Sequence, residues 1–346
     1  MGKWTRRGVL SAGVLGGTGL VIGIAVRPGN PTEMAGHLVA GEGENLLHIY
    51  LKIDSENRAT AILPHSEMGQ GAQTALTQML AEEMDADWDL MRFEEAPANA
   101  EYANMAVGRG YLFKGVDFPD TVVPTVDGLM LNLADALGMQ ITGGSMSIRT
   151  TGQYFLRAAG ASVREMLVKT ASKAWGVPES EIRTAQSMLH HDSSGRSAPY
   201  SEFAAAAAEM TPSSTPKLKK TSEFSVMGQS KPRHDIPPKV DGSAMFAMDV
   251  KRPGMVYAAV KRTPVAGGTL RRVDDSAARA MKGVIDVVKV GSSSAAGLVG
   301  TYSAGDTIAV VADSYWRAEK ALAALELEWN TEGKERVSSE SIFEQF

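Results

Sequence analysis

Between residues 47 and 84 the hydrophobic period changes from two to helical, and glycines mark the change. Leu47, Ile49, Leu51 and Ile53 alternate with His48, Tyr50 and Lys52, the pattern of a half-buried strand with His48 on its exposed face. Ser55-Glu56-Asn57 supplies a turn and Ala59–Leu63 returns, so a hairpin is expected. From Thr74 onward Leu76, Met79, Leu80 and Met84 recur at helical spacing, with Glu82, Glu83 and Asp85 expected on a solvated opposite face. The strand-to-helix junction reads Pro64-His65-Ser66-Glu67-Met68-Gly69-Gln70-Gly71. Glycines there let backbone come close to something, either another chain segment or a bound cofactor.

A second glycine-rich turn, Thr142-Gly143-Gly144-Ser145, precedes the clearest helix, whose face is Phe155, Ala159, Val163, Met166, Thr170 and Ala174 and whose stop is Gly176. Helix N-termini carry unpaired N–H groups and partial positive charge, and glycine admits a phosphate. With the hydroxyls of Ser145, Ser147, Thr150 and Thr151, the two turns suit a phosphorylated organic cofactor, while Gln70 offers an amide to a polar or oxo ligand. Each turn alone also reads as a plain structural turn.

Several chemistries are excluded. Neither turn is followed by Gly-Lys-Ser/Thr, and Ser145 lacks the Gly-x-Ser-x-Gly elbow. The chain has no cysteine, which removes disulfides, thiolate zinc and any iron–sulfur cluster held by this chain alone. His190 and His191 are neighbours on a strand and point to opposite faces, so they cannot chelate and are expected in a surface hairpin. Glu67 is expected to be structural. A net charge of −5 gives no field for nucleic acid, and Lys217, Lys219 and Lys220 read as part of a solvated linker.

At 346 residues the chain has room for two domains. Residues 1–30 pair Thr5-Arg6-Arg7-Gly8-Val9-Leu10 with an apolar run over 8–26, a twin-arginine export signal or, if uncleaved, a membrane anchor. The fold class expected is α+β or α/β. A first domain spans 31–210, a Pro/Ser/Lys-rich linker 211–238, and a compact α/β unit 239–330, with 331–346 starting a further segment. In the second unit strands are expected at Ser243–Asp249, Met255–Arg262, Val284–Val290 and Thr307–Ala312, helices at Asp275–Met281 and Ser314–Leu325, and a flexible loop over 291–306.

The stretches PHSEMGQGAQTALTQMLAEEMDADWDLMRFEEAPA and TGGSMSIRTTG…LRAAGASVREMLVKTASKAWGV together resemble the large subunit of molybdenum hydroxylases, in the branch of isoquinoline 1-oxidoreductase beta subunits and molybdopterin aldehyde dehydrogenases. PRHDIPPKVDGSAMFAMDV and IAVVADSYWRAEKALAALELEW are similar to that family's α/β hammerhead domain. The resemblance implies part of a molybdopterin-binding domain followed by a hammerhead domain. It implies molybdopterin cytosine dinucleotide as cofactor, its dithiolene holding the molybdenum, so that no protein metal ligand is needed. Gly69, Gln70 and Gly71 would lie near the molybdenum, Gln70 contacting a metal ligand, and Thr142, Gly143, Gly144 and Ser145 would follow the pterin dinucleotide. The family's Gly-Gly-Gly-Phe-Gly segment and its late Gly-x-Gly-Glu, whose glutamate is the base, do not follow here, so no catalytic residue is expected on this chain. The partners implied are a chain supplying the rest of the molybdenum domain, a small [2Fe-2S] subunit, a cytochrome c subunit, and a small aldehyde or N-heterocycle as substrate. The location implied is periplasmic. The alternative is a non-catalytic exported remnant acting as a binding protein.

Overall fold

A computed structural model of the chain describes residues 36–346, except most of 105–138 and residues 144, 146, 214, 298–299 and 333–337. The described residues divide into two compact units between Ser243 and Ala244.

The first unit is built on a four-stranded sheet in the order β1-β2-β3-β4, with β1 at Glu44–His48, β2 at Leu51–Asp54, β3 at Ala59–Leu63 and β4 at Met91–Glu95. The alternation over 47–53 is therefore not one strand. The chain reverses at Ile49-Tyr50, and a two-residue turn preserves the alternating pattern, so the reversal leaves no mark in the periodicity. His48, expected to be exposed, is only partly so and stacks on Tyr50 at 5.5 Å. Strands β3 and β4 run parallel, Leu63 opposite Glu95, and helix α1 (Ala72–Met84) makes the crossover between them. That βαβ arrangement brings the carboxyl ends of both strands to one edge, beside the start of α1.

Helix α2 (Arg157–Trp175) packs along α1 and ends at Gly176, whose φ of 67° is the left-handed stop read from the sequence. Close approach requires Gly160, where a Cβ would lie 2.5 Å from the Leu80 carbonyl oxygen. A π-helical segment, Ser147–Leu156, leads into α2. Beyond α2 come a small sheet of β5 (Arg183–Ala185), β6 (Met188–His191) and β7 (Arg196–Pro199), and then α3 (Tyr200–Ala208). No side chain of Tyr200 or Ser201 caps α3; the Ser201 N–H donates instead to Asn57 Oδ1, 2.9 Å away, from the β2–β3 turn.

Two readings fail here for one reason. Glu82 and Glu83, expected to face solvent, are both fully buried, and residues 217–233, expected to be a solvated linker, lie along α1 and bond to them. The short helix α4 (Ile236–Asp241) closes the unit.

In the second unit β8 (Tyr257–Arg262), β13 (Thr307–Ala312) and β10 (Val284–Val290) form an antiparallel sheet in the order β10-β13-β8. Helix α6 (Tyr315–Ala323) packs on it through Ala318, Ala321 and Leu322, and the short α5 (Ser276–Arg279) lies beside β10. Strands β9 (Thr269–Asp274) and β14 (Glu326–Asn330) pair separately. The strand expected at Ser243–Asp249 is replaced by a single 3₁₀ turn at Ala247–Asp249. The loop expected over 291–306 contains a strand pair, β11 (Ser293–Gly297) and β12 (Gly300–Ala304). The chain ends in α7 (Ser339–Gln345). Among the described residues no helix is long and apolar enough to cross a membrane; residues 8–26 lie outside them.

Candidate functional site

The two glycine turns meet. The Ser66 N–H donates to Thr142 Oγ1 at 2.9 Å, and His65 Nε2 lies 2.8 Å from Thr151 Oγ1, so the chain leaving β3 is bonded to the segment that opens the second helix. Between the ends of β3 and β4 and this segment lies a cavity of about 470 Å³. His65, Ser66, Glu95, Asn99, Gln140 and Thr142 supply its polar lining, and among the described residues no lysine or arginine lines it.

The start of α1 is closed to anions. Gly69 and Gly71 sit at φ 96° and 74°, values that favour glycine, and their N–H groups point to Glu67 Oε1 at 2.9 and 2.8 Å. The Gln73 N–H approaches Glu67 Oε2 at 3.4 Å. The carboxylate does the work of an N-cap from five residues upstream, and its charge repels any second anion placed there. A phosphate at Gly69–Gly71, as the glycine pattern suggested, does not fit; a structural Glu67 does.

Gln70 is exposed and folded onto its own turn, Oε1 accepting from the Met68 N–H and Nε2 donating to the Ser66 carbonyl oxygen at 2.9 Å. Of the second turn, Thr142 lines the cavity, the Gly143 N–H donates to Ser147 Oγ at 3.1 Å and Ser145 is exposed. Gly144 lies outside the described residues.

Sequence reasoning missed three residues at this edge. His65 is 2% exposed, its Nδ1 has no hydrogen-bond partner among the described residues, and burial pushes its pKa down to about 4 against a lesser opposing pull from the Ile141 backbone. Glu95 accepts from Gln73 Nε2 at 2.8 Å. Arg233 reaches across from the stretch expected to be a linker: Nη1 donates to the Gly69 carbonyl oxygen at 3.0 Å, and Nη2 lies 3.3 Å from Glu67 Oε1. No local pattern could reveal a partner 164 residues away.

Two further candidates, Glu44 and His191, are held in structural bonds. The one literal Gly-x-Gly-Glu string, Gly41-Glu42-Gly43-Glu44, opens β1, and its Glu44 carboxylate is paired with Lys52 Nζ at 2.9 Å. His191 is buried, not on the surface; its ring lies 2.9 Å from Glu181 Oε2 and 2.6 Å from Ser194 Oγ, pinning the hairpin turn. His190 is partly exposed on the opposite face, and among the described residues no group of three His, Cys, Asp or Glu could hold a metal ion.

No protein-family model matches the chain. It is 30% identical to the beta subunit of isoquinoline 1-oxidoreductase from Brevundimonas diminuta, over 86% of this chain and 37% of that protein. It is 27% identical to a protein of Gluconacetobacter polyoxogenes named membrane-bound aldehyde dehydrogenase [pyrroloquinoline-quinone], over 94% of this chain and 37% of that one. It is 24% identical to the B subunit of nicotinate dehydrogenase from Pseudomonas putida, over 83% of this chain and 21% of that one. The chain thus spans little more than a third of the length of the first two. Among solved structures, the Cu,Mo-CO dehydrogenase in its carbon monoxide reduced state aligns at 21% identity over 30% of this chain and 15% of its own, with a TM-score of 0.24.

Proposed function

From a chain that is a relative of the isoquinoline 1-oxidoreductase beta subunits among the molybdenum hydroxylases, we propose part of an enzyme that oxidises an aldehyde or an N-heterocycle with oxygen derived from water. The observation that carries this reading is the Ser66–Thr142 hydrogen bond, which joins the segments that carry the two glycine stretches where Ser66 and Thr142 line one cavity at the carboxyl ends of parallel strands. A molybdopterin cofactor, proposed here in its cytosine dinucleotide form, supplies when bound the two-electron acceptor for the reaction. The rim fits a neutral, hydrogen-bonding portion of such a cofactor: Thr142 lines it, the uncharged Gln70 amide is bonded to Ser66 beside it, and Glu67 turns phosphates away from the first turn. Gly143, Gly144 and Ser145 are proposed to follow the dinucleotide. Glu67 and Glu44 are both engaged in structural bonds, so the general base is proposed to come from another chain. An iron–sulfur subunit and a cytochrome c are the proposed electron acceptors, the second unit is proposed to be the hammerhead domain, and the arginine pair supports export to the periplasm.

The test is elemental analysis and extraction on the chain purified from its host with whatever accompanies it. Molybdenum near one per chain with released cytosine nucleotide is the expected result. Pyrroloquinoline quinone in the extract without molybdenum, as one relative's name would have it, overturns the cofactor assignment; neither group would leave a non-catalytic binding protein.

A further inference from the structure

Arg233 holds three acceptors at once. Its Nε and Nη2 bond the two carboxylate oxygens of Asp235 at 2.9 and 2.6 Å, while Nη1 donates to the Gly69 carbonyl oxygen and Nη2 lies 3.3 Å from Glu67 Oε1. Asp235 is itself paired with Lys239, so the guanidinium is braced from behind and its free edge is aimed at the turn. The two groups it grips are those that define the turn: the carbonyl of the first left-handed glycine and the carboxylate that gathers the N–H groups of Gly69, Gly71 and Gln73. Arg233 also lies 3.7 Å from where a Cβ on Gly71 would sit.

We propose that Arg233 is a positioning residue that fixes the Gly69-Gln70-Gly71 turn in the shape that holds Gln70 against Ser66, which lines the cavity, with Asp235 as its brace. The cofactor role of that turn rests on the function proposed above; the mechanical role does not. The Gln70 amide closes on Met68 and Ser66, so engaging a ligand means releasing both bonds, and a turn held only by that amide would lose its form on release. Arg233 and Glu67 hold the backbone independently of Gln70.

The test is hydrogen exchange by mass spectrometry on the full chain, with molybdenum content measured on the same preparations. Arg233→Ala is expected to speed exchange of the Gly69, Gly71 and Gln73 amides about tenfold while β1, β2 and the second half of α1 stay as protected as before. Arg233→Lys, which keeps a charge near Glu67 but cannot fork to Gly69 and Asp235 together, is expected to fall between. Asp235→Asn leaves the arginine in place and loosens its brace, and serves if Arg233→Ala does not fold. Unchanged exchange over 66–73, or an equal rise across the whole first unit, overturns the proposal. Faster exchange of the turn with molybdenum content intact sustains the positioning role and sinks the cofactor assignment instead.

Discussion

The two ends of α1 solve opposite electrostatic problems with the same kind of group. At its N-terminus Glu67 sits where the helix dipole welcomes negative charge, and it gathers three N–H groups from its own next six residues. In its last turn Glu82 and Glu83 sit where the dipole opposes them, fully buried, and every compensating group is remote. Glu82 accepts the N–H groups of Ser225, Val226 and Met227 at 2.9, 2.6 and 2.9 Å and pairs with Lys219 Nζ at 2.9 Å. Glu83 pairs with Arg157 at 2.6 Å and accepts the Lys219 N–H at 2.9 Å. Local chemistry therefore holds one end, and a strap from 217–233 holds the other. Among the described residues, only Arg233 ties the strap to the N-terminal end through charge.

The largest effect is expected where compensation is remote. Glu82→Ala leaves the N–H groups of Ser225, Val226 and Met227 without their acceptor and strips Lys219 of one of its two carboxylate partners, Asp85 being the other, and should cost about 3–5 kcal/mol, read as a lower urea midpoint. Glu67→Ala removes a cap whose N–H donors stand nearer solvent and should cost about 1–2 kcal/mol; an equal loss at both ends would break the comparison. Acid should act on the two units differently. Burial opposes charge on Glu82, but Lys219 and the backbone donors outweigh it and hold its pKa below the ordinary 4.5. Its stabilisation is therefore complete above about pH 4.5 and drains as pH falls through the lowered value. His65 titrates near 4 when folded against an ordinary 6.5, so the unfolded chain binds the extra proton first, and stability falls as pH drops from 6.5 toward 4. Since all six histidines lie before residue 244, fluorescence and exchange probes should show the first unit loosening between about pH 6.5 and 5 while the second holds. The smallest effect on stability is expected for Gln70→Ala, within about 0.5 kcal/mol, alongside a clear drop in retained molybdenum.

Legibility followed the range of the interactions. Periodicity gave α1 from Leu76 to Met84, and Gly176 marked the end of α2, because both signals are written in neighbouring residues. Strands β10 and β13 also have the bounds their apolar runs suggest. The Gly69-Gln70-Gly71 turn was visible as a turn, and Glu67 as structural, since its partners lie within six residues. The buried acids could not be read: Glu82-Glu83 beside Asp85 is the pattern of a solvated face, and only residues 74 to 145 positions later change its meaning. Strand β9 went unseen because Thr269–Asp274 carries two arginines and faces mostly outward.

The strap has a consequence for the order in which the molecule can be made. A ribosome delivers α1 long before Lys219, and Arg157 emerges between them, so the two glutamates stay hydrated until residues 217–227 leave the exit tunnel. Unit one cannot seat its central helix pair during synthesis of its own first two hundred residues; its final docking waits for a segment with almost no regular structure of its own. A chain ending at residue 210 should therefore be soft and protease-sensitive, although it contains every strand and every long helix described in that unit.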